Sequence, residues 1–169
     1  ETFKANALAG DLSNASFSPK SFEVCSLISV IQYLQDPMGT LKRVNSLLKK
    51  GGLIYIETTN EDALIFKIGD LLKSFGENQK VTTHLSPLFS SFQIYGFNKK
   101  SLEKALTTAG FEVIYSKVMR GMSIFAGGKI EGRGIVKILK MIILKITVFL
   151  GVLIGKGHVM YCMAIKKER

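Results

Sequence analysis

Residues 17 to 60 constrain this chain most, because they spell a strand, a crossover helix and a second strand with little between them. The run SFEVCSLIS, Ser21 to Ser29, is apolar with a polar break at each end, which predicts a buried strand. Asp36-Pro37 interrupts the segment that leaves it. From Met38 the apolar positions Leu41, Val44, Leu47 and Leu48 fall on one face and basic residues on others, so an amphipathic helix follows. Lys49 and Lys50 read as its last turn and Gly51-Gly52 as its stop, as the macrodipole and a left-handed C-cap prefer. The run LIYIET from Leu53 predicts the next strand. A unit of this size closes as a right-handed parallel crossover, and ligands of such sheets bind beyond the carboxyl ends of the strands. Function is therefore to be sought at Ser29 to Tyr33 and at Thr58 to Asp62.

The chain has 169 residues and 47% hydrophobic content, enough for a single domain, 1–169, with a real core. It begins with Glu1 rather than Met, and so reads as a fragment or a processed chain. A net charge of +10 raises the question of nucleic acid or an anionic membrane. Lys and Arg are spread along the chain rather than clustered, which argues against a dedicated nucleic-acid surface. Cys25 and Cys162 each lie in an apolar, strand-like run, where unreactive core thiols sit. Two cysteines so placed make no disulfide framework, and no basic leader precedes an apolar core, so a cytoplasmic location, membrane-associated at most, is expected.

Around the crossover the reading is coarser. Ala7 to Leu12 is expected to end a strand. Ala63 to Phe75 is expected to be a helix with Leu64, Ile68, Leu71 and Leu72 inward, able to cover the site as a lid. The connection from Glu77 to Tyr95 holds His84, a lone histidine with no partner at ligand spacing; it is weak evidence for acid–base work, and no metal set is predicted. Asn98 caps a helix over Lys99 to Ala109 with Leu102, Ala105 and Leu106 inward and Gly110 as its C-cap. Phe111 to Val118 and His158 to Ile165 read as strands that frame an insertion at residues 120–157.

The insertion opens on Gly121, Gly127, Gly128, Gly132 and Gly134 with Arg120, Lys129 and Arg133 among them. A phosphate-binding loop fails here, because Lys129 is followed by Ile130 rather than Ser or Thr, so a flexible loop is expected. From Ile135 to Ile154 the chain is apolar except for Lys137, Lys140, Lys145, Thr147 and Gly151. The three lysines fall within about 140° of helical arc and argue against a membrane span. Three fates stay open for this helix. It packs on the sheet or on a second subunit as a homodimer contact, lies in a membrane interface with its lysines toward the headgroups, or closes over an apolar acceptor.

The strings SFEV, SVIQYLQDP and LKRVNSLLKKGGLIYIETTN, in this order and spacing, resemble the second half of a class I S-adenosylmethionine-dependent methyltransferase. Members of that family commonly show Phe-Asp, Leu-Glu-His-Leu, Asp-Pro, Leu-Lys-Pro-Gly-Gly and Thr-Pro-Asn. Here Glu23 replaces the Asp, Gln32-Tyr33 the Glu-His, Lys50 the first Pro and Thr59 the last. The resemblance covers roughly Gly10 to Phe111, with a looser tail to Lys166. It implies an α/β fold with a partial Rossmann-like sheet, mostly parallel with an antiparallel last strand, and strands beginning near Leu8, Phe22, Leu53, Phe111 and His158.

The resemblance also implies a site. Asp11, with Leu12, takes the place of the acidic residue after the family's third strand, where a carboxylate accepts from the adenine amino group of the cofactor. By itself, Asp11 reads equally well as opening a turn with Ser13 and Asn14. Ser29 would pass beside the methionine part of S-adenosylmethionine, Gln32 and Tyr33 would face the acceptor, and Asn60 would lie at the pocket rim. Neither Gln32 nor Tyr33 is a strong base at neutral pH, so the catalytic residue is unassigned. Methyl transfer depends mainly on in-line placement, which keeps catalysis open without a histidine.

The family's glycine-rich turn and its second acidic residue would precede Asp11. These residues alone are therefore expected to hold half a pocket, to bind the cofactor weakly or not at all, and to leave the Phe22 strand with an open edge. The expected activity is methyl transfer to a nucleophile on a small molecule, sugar or lipid, incomplete in this stretch alone. The alternative is a non-catalytic methyltransferase-like module that binds a membrane surface or a partner protein through Ile135 to Ile154.

Overall fold

The computed structural model describes residues 7–68, 93–119 and 134–167. The chain runs β1 (Phe22–Ile28), a 3-10 turn (Ile31–Tyr33), α1 (Pro37–Leu47), β2 (Leu48–Thr59), α2 (Lys99–Thr108), β3 (Phe111–Met119), α3 (Gly134–Leu153) and β4 (Val159–Lys166). The four strands form one sheet in the order β1-β2-β4-β3. β1 pairs parallel with β2, and β4 runs antiparallel between β2 and β3. Three strands thus share one direction and the last opposes them, which is the α/β arrangement expected.

Local chemistry starts the helices where the sequence says. Asp36 caps α1 by accepting from the Gly39 N–H at 2.8 Å, and Pro37 opens the first turn. Asn98 and Ser101 form a reciprocal capping box on α2, each bond 2.9 Å, and Gly110 leaves the helix at φ +91°. Leu41, Val44, Leu102 and Leu106 turn inward and meet Ile54, Ile56, Phe111, Met160, Cys162 and Ala164 on one face of the sheet. The other face, with Tyr55, Glu57, Tyr161 and Met163, is only half-buried.

The end of α1 differs from the reading. The helix stops at Leu47, and Leu48, which is fully buried, already begins β2 opposite Phe22. Lys49 and Lys50 are therefore strand residues rather than a last helical turn, and Lys49 pairs with Glu23. Gly51, at φ +67°, lies in an irregularity between the pairs Phe22–Leu48 and Val24–Leu53 rather than in a C-cap. The cation that serves the helix end comes from β4, where the Lys166 ammonium donates to the Leu48 carbonyl at 2.9 Å.

Two strand expectations are also corrected. β1 is not a buried strand: Leu27 is its one buried residue, and Phe22, Val24 and Ile28 are exposed. Its only strand partner among the described residues is β2, so the open edge foreseen is present. No strand begins at Leu8. Residues 7–12 are irregular and Leu8 is 73% exposed, because the backbone turns on itself where the Asn14 N–H donates to the Asp11 carbonyl at 3.1 Å. Arg43 of α1 ties that loop down through the Ala15 carbonyl at 3.0 Å.

Cys162 is fully buried and Cys25 partly so, and burial pushes both thiols up, Cys162 to about 11. Residues 64–68 are helical, in keeping with the expected helix. Leu71, Leu72, His84 and the glycine-rich turn up to Arg133 lie outside the described residues, and Gly134 opens α3.

Candidate active site

The two parallel strands end side by side, and the polypeptide turns sharply there. Ser29 adopts φ +52°, a left-handed conformation, while its N–H donates to the Glu57 carbonyl at 2.8 Å, so the turn after β1 is pinned to β2. Ile31, fully buried, anchors the 3-10 turn that follows.

Beneath that turn lies a polar floor. Gln32 is 2% exposed, and its Oε1 accepts from the Thr58 hydroxyl at 2.9 Å. The Gln32 carbonyl accepts from the Ile94 and Tyr95 N–H groups at 2.9 and 3.1 Å. Thr59 donates to Gln93 Oε1 at 2.6 Å, and the Tyr95 hydroxyl donates to the Gln35 carbonyl at 3.1 Å. The ends of β1 and β2 are thereby joined to the irregular segment at residues 93–95.

Asn60, also 2% exposed, closes the floor on its other side. Its Nδ2 donates to the Gly157 carbonyl at 2.8 Å, its main-chain N–H donates to the His158 carbonyl at 3.0 Å, and its Oδ1 accepts from the Asp62 N–H at 3.2 Å. Asn60 thus staples the end of β2 to the start of β4. The Lys67 hydrogen bond holds the Asp62 carboxyl below the usual carboxylate range.

On either side of Gln32 in the chain, Val30 and Tyr33 present exposed side chains. Asp11 is exposed as well; its Oδ1 accepts from the Ser13 N–H at 2.7 Å, which holds its carboxyl low and makes the turn with Ser13 and Asn14. Leu12 packs against the core that contains Leu27 and Ile31. Gln32, Thr58, Thr59 and Gln93 are brought together; among the described residues Asp11 bonds to Ser13 and Asn14 rather than to the Ser29 turn.

The Thr58 stretch is singled out by the sequence, but its bond to Gln32 and the part played by Gln93 and the backbone at 94–95 escape a reading of the sequence, because these bonds span 26 residues or more. One signal could have pointed to this end. In a chain of net charge +10, no Lys or Arg falls between Lys20 and Lys42 or between Lys50 and Lys67, whereas Asp36, Glu57, Glu61 and Asp62 do.

Such an arrangement suits a nucleoside carrying a cationic centre. A surface carboxylate can accept from a base amine, and a sharp turn lets the ligand approach the backbone. An exposed tyrosine ring attracts a cation. Gln32 cannot take up a proton, and no group of three or more His, Cys, Asp or Glu among the described residues could hold a metal ion.

A cavity of about 320 Å³ lies at the opposite end of the sheet, lined by Lys20, Asn45, Lys50, Gly110, Lys166 and Lys167 among others. The carboxyl ends of α1 and α2 meet there, so its lysines match the helix dipoles.

Comparison with known proteins bears on the same region. A family model described as a methyltransferase domain matches residues 3–116. A SAM-dependent methyltransferase from Methanosarcina mazei is similar in structure at 18% identity, with a TM-score of 0.59 over 95% of this chain and 66% of its own. One from Thermotoga maritima gives 19% identity and a TM-score of 0.54, over 95% of this chain and 63% of its own. Magnesium protoporphyrin IX methyltransferase from Synechocystis, solved with bound SAH, gives 7% identity and a TM-score of 0.54, over 95% and 50%. The chain therefore spans two thirds or less of each of these proteins. No curated protein matches the sequence.

Proposed function

The chain belongs to the methyltransferase-domain family, and from that premise we propose that the protein transfers a methyl group from S-adenosylmethionine to an oxygen, nitrogen or carbon nucleophile of a small molecule, sugar or lipid. The observation that carries the reading is the parallel crossover from β1 through α1 to β2, with the Ser29 turn pinned to Glu57 at its carboxyl end. When bound, S-adenosylmethionine supplies an electrophilic methyl on a sulfonium.

The chain's own residues divide the remaining work. Asp11 accepts from the adenine amine through its surface carboxylate, Leu12 gives apolar contact beside it, and Ser29 brings the backbone close to the methionine portion. Tyr33, 41% exposed, faces the cationic centre and the acceptor. Gln32 and Asn60 are buried and bonded to Thr58 and Gly157, which supports a positioning role in which they fix the floor on which the acceptor rests. The step asks mainly for alignment of nucleophile and methyl, a demand that a rigid floor meets without a titrating base. Because the chain spans 63% of the Thermotoga relative and 66% of the Methanosarcina one, weak donor binding by these residues alone belongs to the proposal.

Calorimetric titration with S-adenosylmethionine, and with S-adenosylhomocysteine as the product, tests this. Both should bind one site competitively, and Asp11→Asn should weaken each to a similar degree. Absence of binding by either at millimolar concentration, both to this chain and to a longer natural chain that contains it, would sink the reading.

A further inference from the structure

The helix of the insertion leaves its apolar face uncovered. Ten large apolar residues between Ile135 and Ile154, among them Ile142, Ile146, Phe149 and Leu153, are each 46 to 75% exposed. At 100° per residue they occupy one continuous arc of about 160°. Thr147, Val148 and Gly151 turn the other way and are buried, and a Cβ on Gly151 would meet Leu64, so the carboxyl half of α3 is seated on the protein through that narrow side. The helix is roughly 30 Å long.

Charge selects the occupant. From residue 134 to residue 157, the helix and the turn that follows it, the sequence contains no Asp or Glu but four lysines, of which Lys145 and Lys156 are exposed. By the same helical wheel, Lys145 lies about 20° beyond one border of the apolar arc. A second copy would bring another +10 against this face with no carboxylate on either helix to pair with. An anionic lipid surface takes both features at once, the apolar arc among the acyl chains and the lysines among the headgroups. No helix of the described residues is long and apolar enough to cross a membrane, so the helix lies along the surface.

We propose that α3 docks the protein on an anionic lipid bilayer, with its Ile142–Ile146–Phe149–Leu153 face in the interface. The docking reaches the candidate site through the chain that follows the helix. The Lys156 carbonyl accepts from the Leu64 N–H at 3.0 Å, and the carbonyls of Gly157 and His158 accept from Asn60. On the methyltransferase reading, and only on it, this holds the acceptor side of the site at the lipid surface and favours an amphiphilic acceptor.

The chain contains no tryptophan, so Phe149→Trp gives a single fluorescent reporter on the proposed face. Added to phosphatidylglycerol vesicles at low salt, this protein should shift its emission to the blue and sediment with the vesicles. Phosphatidylcholine vesicles should retain it at least about tenfold less, and high salt should weaken retention. Adding Ile142→Glu and Ile146→Glu, with unchanged circular dichroism, should cut retention by at least about tenfold. No retention by anionic vesicles would overturn the proposal. So would a lipid-independent blue shift that grows with protein concentration alongside a sedimenting dimer, which would assign the face to a second copy. Lipid retention needs no bound methyl donor, so its failure and the failure of the methyltransferase reading are distinguishable.

Discussion

Asn60 at the end of β2 donates from Nδ2 to the main-chain carbonyl of Gly157, 97 residues further on, at 2.8 Å. That bond makes the site floor and the approach to β4 one unit. It joins the segment that follows α3 to the strand end where methyl transfer is proposed.

Asn60→Ala leaves the buried Gly157 carbonyl without this donor and should cost about 1–3 kcal/mol of stability in urea denaturation. Asn60→Asp should cost more at neutral pH, since a carboxylate would then face the carbonyl with no proton to offer. Equal stability of the wild type and Asn60→Asp would contradict the assignment of Nδ2 as donor.

Thr58→Val keeps the shape of a buried position and removes the hydroxyl that reaches Gln32 Oε1 at 2.9 Å. A loss of about 1 kcal/mol is expected. The effect should be smaller in a Gln32→Leu background, where the acceptor is already gone, and a double-mutant cycle measures that coupling.

Gly157→Ala should be among the most damaging substitutions in the described structure, because the added Cβ would press on the backbone of Met119, which cannot swing aside as a side chain can. A loss above about 3 kcal/mol is expected, read as thermal unfolding at a much lower temperature. An unchanged melting temperature would show that β3 and the start of β4 are spaced differently.

Burial pushes the Cys162 thiol up to about 11 from an ordinary value of 9.0. Between those two values the folded chain keeps a proton that the unfolded chain has lost, so this group's contribution to stability is full below pH 9 and falls as pH rises toward 11. Alkylation by iodoacetamide at pH 8 should therefore be slow at Cys162 in the native protein and fast after denaturation. Rapid native labelling would refute the burial of this side chain.

What the sequence disclosed and what it hid follow from the range of the interactions. The crossover, the Asn98 cap and the span of α3 rest on local periodicity and capping, and each lies close to where the residues alone place it. The end of α1 misleads because Lys49-Lys50-Gly51-Gly52 has the chemistry of a helix C-terminus, while pairing of Leu48 with Phe22 and the distant Lys166 decide otherwise. The exposure of Val24 and Ile28 could not be foreseen from an apolar run, since it depends on how many strands and helices flank β1. Asp11 takes the plain turn that its neighbours Ser13 and Asn14 allow, which leaves its proposed role toward adenine to experiment. The stretch from Thr58 was legible as a strand end, but its bond to Gln32 and the arrival of residues 93–95 were hidden for the same reason as the end of α1, since the partners are remote in sequence.

Hydrogen exchange with and without saturating S-adenosylmethionine tests the central claim most directly. The account expects slower exchange at residues 29–35 and 57–62, at the carboxyl ends of β1 and β2, and no change at Lys50, Gly110 or Lys167 around the lysine-lined cavity at the other end of the sheet. Protection confined to that cavity, or none at either end, would contradict it.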